Sequence, residues 1–535
     1  MPTTMTDVRT EFRNQPMTDF SDAGNRRAME AALEKVRGEL GRTYPLIIGA
    51  RRITEGKTGE SINPANPEQV VGRFVQATEA NADEAMATAS QAFETWKNVP
   101  AEERAEYLFR AAETMIERRF ELCAWLVFEV SKSWPEADAD VAELIDFATY
   151  YAHQMLRLAG PQPIVRYPGE ENELWYVPLG VSVVIPPWNF PAAIMGGMTL
   201  AAIVAGNTVV LKPASTSPII AAKFAEILID DCGLPAGVLN FLPGPGGKIG
   251  DKLVDDPRTR LIAFTGSKEV GLRIFERAAK VHPGQKWLKR TILEMGGKDG
   301  LVVDETADLD EAADAIVRSA FGFQGQKCSA CSRAIVVDEV YDDVLEKVIE
   351  RTRKLTIGDP VNPNTFMGAV IDDKARKKIG DYIEIGKKEG RLAYGGNVKE
   401  EGGYFIEPTI VADVPEDGRL AQEEVFGPVL AFIRARDFEH ALEIVNNTEY
   451  GLTGGLMTGS QERLERAKRE IHVGNLYLNR KITGALVGVQ PFGGFNMSGT
   501  DSKAGGPDYL LLFTQAKTIT NRLRGSATAG SDAEM

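Results

Sequence analysis

Histidine and cysteine are scarce in this chain, four of each in 535 residues. Four thiols (Cys123, Cys232, Cys328 and Cys331) cannot staple a chain of this length, which excludes a disulfide scaffold. The imidazoles, at His153, His282, His440 and His472, have no ligand-like spacing to any cysteine, so no metal site is expected. Positive charge is also short: 61 basic against 76 acidic residues leave a net charge of −15, which suits a polyanionic partner poorly and argues against nucleic acid. No stretch reads as a membrane span, because the apolar region from Trp175 to about Val204 is broken by Pro and Gly and carries Trp188 and Asn189. The start lacks a basic-then-apolar signal pattern, so a cytoplasmic protein with reduced thiols is expected.

What is present is glycine, 52 residues of it, and a length that corresponds to three or four domain-sized units at roughly 150 residues each. Met29, Leu33, Val36 and Leu40 predict a helix in an N-terminal arm over 1–40. Apolar residues at three- and four-residue spacing from Ala77 to Ser133, then from Asp140 to Leu158, predict successive amphipathic helices. The proline-punctuated stretch at 160–180 predicts an exposed hairpin. From Gly180, β-branched runs alternate with helical ones ("VSVVI", "NTVVLKP", "GVLNFLP", "LIAFTGS"), which implies a parallel sheet. A second such series opens with "TILEMGGKDGLVV" and predicts a second α/β domain from about residue 295. The small, polar end of the chain is expected to be disordered.

Cys328, in "GFQGQKCSACSR", is the first candidate for chemistry: the run after it reads as helix or strand, and at a helix N-terminus its thiol would be favoured as thiolate. With Cys331 it also forms C-x-x-C, but a metal half-site lacks two further ligands and a thioredoxin-like pair would follow an N-terminal strand rather than lie deep in the chain, so neither reading is favoured over a nucleophile. Glu294 ends an apolar run just before two glycines, where desolvation would raise its pKa toward that of a working base, although a glutamate that merely ends a strand reads the same way. "GPGGKIG" at 244–250 is one residue too long for G-x-G-x-x-G, yet it follows a strand and opens a helix, as a dinucleotide site requires. "FTGSKEVG" repeats the arrangement, and Lys212 stands at another strand end, where an ammonium can reach ribose hydroxyls. Each of these turns can equally need Gly or Pro for backbone reasons alone.

Taken in order, "PPWNFP" (186–191), "GNTVVLKPAS" (206–215), "FTGSKEVG" (264–271), "LEMGGKD" (293–299), "GQKCSA" (325–330), "EEVFGPV" (423–429) and "PFGG" (491–494) resemble the aldehyde dehydrogenase superfamily. The resemblance implies an α/β fold: a Rossmann-type dinucleotide domain (41–161 and 179–294), a catalytic domain (295–507) and a β oligomerisation flap (162–178 and 508–522), with 523–535 as tail. It also implies roles. Cys328 attacks an aldehyde, the Asn189 amide and the Cys328 N–H hold the oxyanion, hydride passes to NAD⁺, and Glu294 activates the water that hydrolyses the thioester. NAD⁺ would lie among Ile185, Pro187, Trp188, Lys212, Ser215, Gly246, Phe264, Gly266, Ser267, Val270, Glu424 and Phe426. At Ser215, NAD-strict members often carry Glu, so NADP⁺ is admissible here as well.

Finer features, "NRKITGALVGVQPFGGF" and "SGTDSKAGGPDYL" among them, look like the branch acting on L-glutamate γ-semialdehyde, the open form of 1-pyrroline-5-carboxylate, in proline breakdown. Ser329, Gly484 and Ala485 would then bind the α-carboxylate and Phe190 and Phe492 flank the methylenes. An aldehyde dehydrogenase of different substrate specificity, a CoA-acylating one included, is the alternative. The flap implies a homo-oligomer, a dimer or a trimer of dimers. The length leaves no room for a fused proline dehydrogenase, so transient contact with a separate one is expected.

Overall fold

A computed structural model describes residues 8–399 and 401–523. The expected disordered tail lies, beyond Leu523, outside the described residues. Two seven-stranded sheets carry the molecule. The first runs in the order Arg290–Glu294, Thr259–Thr265, Val181–Ile185, Thr208–Leu211 and Leu239–Phe241, all parallel, and is extended by antiparallel Leu46–Ile48 and Arg51–Ile53. The second has antiparallel Arg391–Tyr394 at one edge, followed by parallel Thr409–Ala412, Val429–Ala435, Cys331–Val337, Asp299–Val303, Thr453–Met457 and Asn475–Leu478. Runs such as Thr208–Leu211 and Asp299–Val303 are buried at every position. That is the pattern of strands with covered faces on both sides, and it explains why β-branched runs rather than alternation marked them.

The expected second series is corrected at its start. "TILEMGGKDGLVV" is two strands in two sheets: Arg290–Glu294 closes the edge of the first and Asp299–Val303 lies inside the second, with Met295 to Lys298 crossing between them. The expected hairpin near 162–178 is corrected as well. Gln162 makes one isolated bridge to Leu174, while Glu170–Pro178 pairs along its whole length with Thr514–Arg522. Pro161, Pro163 and Pro168 have no N–H to donate to a ladder, so the nearer limb cannot compete with the distant strand.

Helices Glu79–Trp96, Ala101–Glu117, Arg119–Val130 and Trp134–Leu158 follow one another as the apolar spacing predicts. The last of these packs against Ala101–Glu117 and against Ala193–Val204, the helix that follows strand Val181–Ile185 of the first sheet. Its buried Asp140 accepts hydrogen bonds from the Lys132 ammonium (2.9 Å) and the Ala193 N–H (2.8 Å), so an ion pair with no solvent exposure fixes the start of that helix. The N-terminal helix is Ala23–Arg37, with Met29, Leu33 and Val36 buried.

In the second sheet the buried Arg333 guanidinium donates to the carbonyls of Lys298 (2.9 Å), Ile444 (2.9 Å) and Val445 (3.0 Å). One side chain thus ties the inter-sheet crossing to the end of helix Phe438–Asn446. Arg333→Met keeps the apolar stem and leaves three carbonyls unpaired, so a denaturant titration should show a loss of roughly 3–5 kcal/mol. A loss below about 1 kcal/mol would show that solvent can satisfy those carbonyls.

Candidate active site

The carboxyl ends of the first sheet face the amino ends of two strands of the second. Glu294 is the last residue of its strand, Asp299 the first of the next, and Cys328 lies three residues before Cys331–Val337. Of the two readings of the run after Cys328 the strand is the one found, so no helix dipole favours the thiolate. Burial pushes the thiol pKa up, and the carboxylates of Asp299, Glu424 and Glu294 push it further. The thiol is therefore neutral in the resting site. Cys331 is buried and points its sulfur at the Arg333 carbonyl (3.5 Å), and all four cysteines are free.

The turn before Cys328 is unusual. Phe323 (φ 48°), Gln324 (φ 58°) and Gly325 (φ 66°) are consecutively left-handed, and a Cβ on Gly325 would lie 2.4 Å from the Gly427 carbonyl. Buried amides hold this shape: Gln324 Nε2 donates to the carbonyls of Ser131 (3.1 Å) and Ala369 (2.8 Å), and Gln326 Oε1 accepts from Ile371 N–H (2.9 Å). Asn189 Nδ2 donates to the Gln326 carbonyl (3.0 Å), which binds the end of "PPWNFP" to the strand of chain that leads to Cys328.

Glu294 is pushed up to about 8, chiefly by burial, against the pull of the Ser502 hydroxyl, which donates to Oε1, and of the Lys503 ammonium. Its Oε2 is buried without a hydrogen-bond partner among the described residues. Cys328 and Glu294 line one cavity of about 490 Å³. Phe190, Ser329, Gly484, Ala485 and Phe492 line the same cavity, so all five expected substrate residues are brought to it. Sequence reading missed other lining groups: Glu136 (whose carboxylate meets Lys327 at 2.7 Å), Glu143 and Asp146 from helix Trp134–Leu158, and Met17 from the arm. The helix shows no local sign of facing a site, since its acidic residues read as an ordinary solvated face.

Several of the expected cofactor residues lie at or just beyond the carboxyl ends of the parallel strands of the first sheet. Ile185 and Phe264 are register partners at neighbouring strand ends, followed by Pro187 and Trp188 on one chain and Gly266, whose N–H donates to the Glu294 carbonyl (3.0 Å), on the other. Ser267 caps helix Lys268–Ala279 by accepting from Val270 N–H (3.4 Å). Lys212 is buried and pushed down to about 8 by that burial alone, with no carboxylate to offset it. Gly250 lies against its stem, and Ser215 Oγ donates to the Gly244 carbonyl (3.4 Å), so "GPGGKIG" and "LKPAS" form one wall. A Cβ on Gly246 would meet nothing, which leaves that wall open to a ligand. Opposite, the Glu424 carboxylate accepts from Gly297 N–H (3.0 Å); a Cβ on Gly296 would strike it at 2.4 Å, and Phe426 sets its ring edge-on to Trp188 at 5.5 Å.

These groups fit a dinucleotide: an uncompensated ammonium and a carboxylate for two riboses, and a helix N-terminus at a strand end for a pyrophosphate. Lys298 and Asp299, both buried, have an unpaired Nζ and Oδ2 beside Glu424 and were not singled out from the sequence. Among the described residues no cluster of His, Cys, Asp and Glu could hold a metal ion.

The family model described as aldehyde dehydrogenase family matches residues 52–519. A 1-pyrroline-5-carboxylate dehydrogenase of Geobacillus sp. (strain WCH70) is 60% identical over 509 residues, covering 95% of this chain and 99% of its own. The crystal structure of 1-pyrroline-5-carboxylate dehydrogenase from Thermus with bound NAD has a TM-score of 0.94 at 52% identity, covering 96% of this chain and 99% of that one. Proline utilization A from Bdellovibrio bacteriovorus has a TM-score of 0.95 at 46% identity, with 97% of this chain matching 54% of that one. The chain belongs to the aldehyde dehydrogenase family.

Proposed function

We propose that this chain oxidises L-glutamate γ-semialdehyde, open form of 1-pyrroline-5-carboxylate, to L-glutamate with NAD⁺, in the second step of proline catabolism. The observation that carries this reading is the single cavity in which a thiol (Cys328) and a carboxylate poised near 8 (Glu294) stand with the glycine-bearing loop Gly484–Ala485. The names of relatives more than half identical to this chain support the substrate.

In this scheme Cys328 Sγ bonds to the aldehyde carbon while its proton passes to Glu294, the acceptor on the same cavity wall. The Asn189 amide nitrogen carries two N–H groups; one is spent on the Gln326 carbonyl, and the other, with the Cys328 N–H, receives the oxyanion. NAD⁺ supplies the hydride acceptor when bound, and Lys212, Glu424, Gly246, Gly266 and Ser267 are the residues to hold it. Glu294 gives the thiol's proton up to solvent, then takes one from water as it attacks the thioester and passes it to the departing sulfur, releasing the acid and the thiol. Ser329 with the N–H groups of Gly484 and Ala485 receives the α-carboxylate, between the rings of Phe190 and Phe492.

The two sheets serve as dinucleotide and catalytic domains. The paired strands Glu170–Pro178 and Thr514–Arg522 serve as an oligomerisation flap for a dimer or trimer of dimers; Val165 (92% exposed) and Tyr167 (66%) beside them are the apolar surface such contact would cover. Among the described residues no helix is long and apolar enough to cross a membrane, and the cytoplasm is the proposed location. The match to about half of proline utilization A supports transient contact with a separate proline dehydrogenase that supplies the substrate.

Purified protein with 1-pyrroline-5-carboxylate and NAD⁺ should produce NADH; production with a simple aldehyde but none with this substrate would return the chain to the broad family. Because the base is the deprotonated form of a raised carboxyl, turnover should climb as pH rises through about 8. Ser502→Ala, which removes a hydrogen bond to the charged form, should move that limb to higher pH, and Glu294→Gln should cost about 10²–10⁴ in turnover. An unmoved limb would assign it to another group. Ser215→Glu places a carboxylate where a 2′-phosphate would lie, so kcat/KM for NADP⁺ should fall at least about tenfold with NAD⁺ little changed; equal losses would place Ser215 elsewhere on the cofactor.

A further inference from the structure

The N-terminal arm takes no part in the chemistry above, yet it reaches the cavity, which Met17 lines. It is anchored on both sides of that point. Upstream, the Val8 carbonyl meets His153 Nε2 (2.9 Å) and Arg9 pairs with Glu106 (2.8 Å) and Glu113. Downstream, Thr18 donates from its N–H and its hydroxyl to the two oxygens of Asp138 (2.7 Å each), and Arg119 donates to Asp138 and to the Pro16 carbonyl (2.9 Å).

Between the anchors the arm joins helix Trp134–Leu158 to the loop over 483–488. Asn14 Nδ2 donates one hydrogen to Asp146 Oδ2 (2.9 Å) and the other to the Val487 carbonyl (2.9 Å), while Gln15 N–H donates to Asp146 Oδ1 (2.7 Å). Phe12 stacks edge-on against Tyr150 at 4.9 Å, and a Cβ on Gly488 would come within 3.1 Å of each ring. The loop turns at two left-handed glycines, Gly484 (φ 78°) and Gly488 (φ 76°); its other ties are Gly488 N–H to the Gly505 carbonyl (2.9 Å), Leu486 N–H to Gln490 Oε1 (3.0 Å), the Arg480 guanidinium to the carbonyls of Thr483 (3.2 Å) and Gly484 (3.4 Å), and the buried side chain of Val487. Asn14 adds to these a direct hold on the backbone at the Val487 carbonyl, two residues from Ala485, which ties the loop to the arm and to helix Trp134–Leu158.

We infer that Asn14 is a positioning residue for substrate recognition: held on Asp146, it fixes the Val487 carbonyl and with it the backbone N–H groups that receive the α-carboxylate. This rests on the reading of Gly484 and Ala485 as that anchor. Backbone donors carry no rotamer choice, so their placement decides whether they converge on a carboxylate, and a displacement of about 1 Å is costly. An aldehyde without an α-carboxylate does not use them.

The test compares wild type, Asn14→Ala and the isosteric Asn14→Asp, which puts acceptors against the Asp146 carboxylate and the Val487 carbonyl. KM and kcat are measured for 1-pyrroline-5-carboxylate and for propanal, with melting temperature alongside and Ser329→Ala as a direct anchor variant. Expected is a rise of about tenfold in KM for 1-pyrroline-5-carboxylate in both Asn14 variants, with kcat and the KM for propanal within about twofold of wild type. Equal rises for both substrates would reduce Asn14 to a general structural contact and overturn the inference. An unchanged KM in both Asn14 variants while Ser329→Ala raises it would overturn the inference and leave the anchor standing. An unchanged KM in Ser329→Ala as well would remove the anchor itself.

Discussion

The crossing from Glu294 to Asp299 is the constraint on which the site depends, because it is the point where the chain leaves one sheet and enters the other. Five residues hold it from separate directions. Leu293 N–H donates to Thr500 Oγ1 (3.0 Å), Met295 N–H to the Ser498 carbonyl (2.7 Å) and Gly297 N–H to Glu424 (3.0 Å), while the Glu294 and Lys298 carbonyls accept from Gly266 N–H (3.0 Å) and Arg333 (2.9 Å). The two glycines are needed there because a side chain at 296 would displace the Glu424 carboxylate and one at 297 would meet the Cys328 carbonyl at 2.5 Å. Glu294, Glu424 and Cys328, the proposed base, cofactor carboxylate and nucleophile, are thus spaced by one short stretch of backbone.

Burial then sets the protonation of what this frame holds. Cys328, Glu294 and Asp299 are driven toward their neutral acids, and Lys298 is pushed down to about 7, so a site crowded with ionisable groups carries less charge than its composition suggests. The net charge of −15 does not carry into the cavity wall: Lys327 is paired with Glu136 and burial pushes Glu143 up to about 8 and Asp146 up to about 7, which leaves Arg480 and Lys481 to attract an anion at close range.

Most of the parallel sheet architecture was legible because doubly covered strands read as uninterrupted apolar runs. Elements that break that rule were not: the short strands Leu46–Ile48 and Arg51–Ile53 sit at a sheet edge, and Glu170–Pro178 takes its partner from over three hundred residues away, a pairing no local pattern encodes. The run after Cys328 carried its own signal, for "SRAIVVD" contains a β-branched apolar run like the other doubly covered strands, and Cys331–Val337 is buried at all but one position; a helix N-terminus at Cys328 was only one of the two readings open there. Residues that act in place of their neighbours, such as Gln324, Gln326 and Asn14, were illegible for a different reason. Each is an ordinary polar residue whose task exists only once Ser131, Ile371 or Val487 has been folded against it.

The turn before Cys328 shows why such residues must be numerous. Phe323 and Gln324 lie in a backbone region that costs an L-residue about 1–2 kcal/mol each. Against this stand the two bonds from Gln324, the two accepted by Gln326 and the one from Ala369 N–H to Ser131 Oγ (2.9 Å), each worth about 1 kcal/mol when buried. The quantities are comparable, so the strained turn persists only while most of that network is intact. The network includes Asn189, the residue proposed to receive the oxyanion. Positioning Cys328, the proposed nucleophile, and preparing the proposed oxyanion site are therefore one structural event, and replacing Asn189 disturbs the turn that carries both.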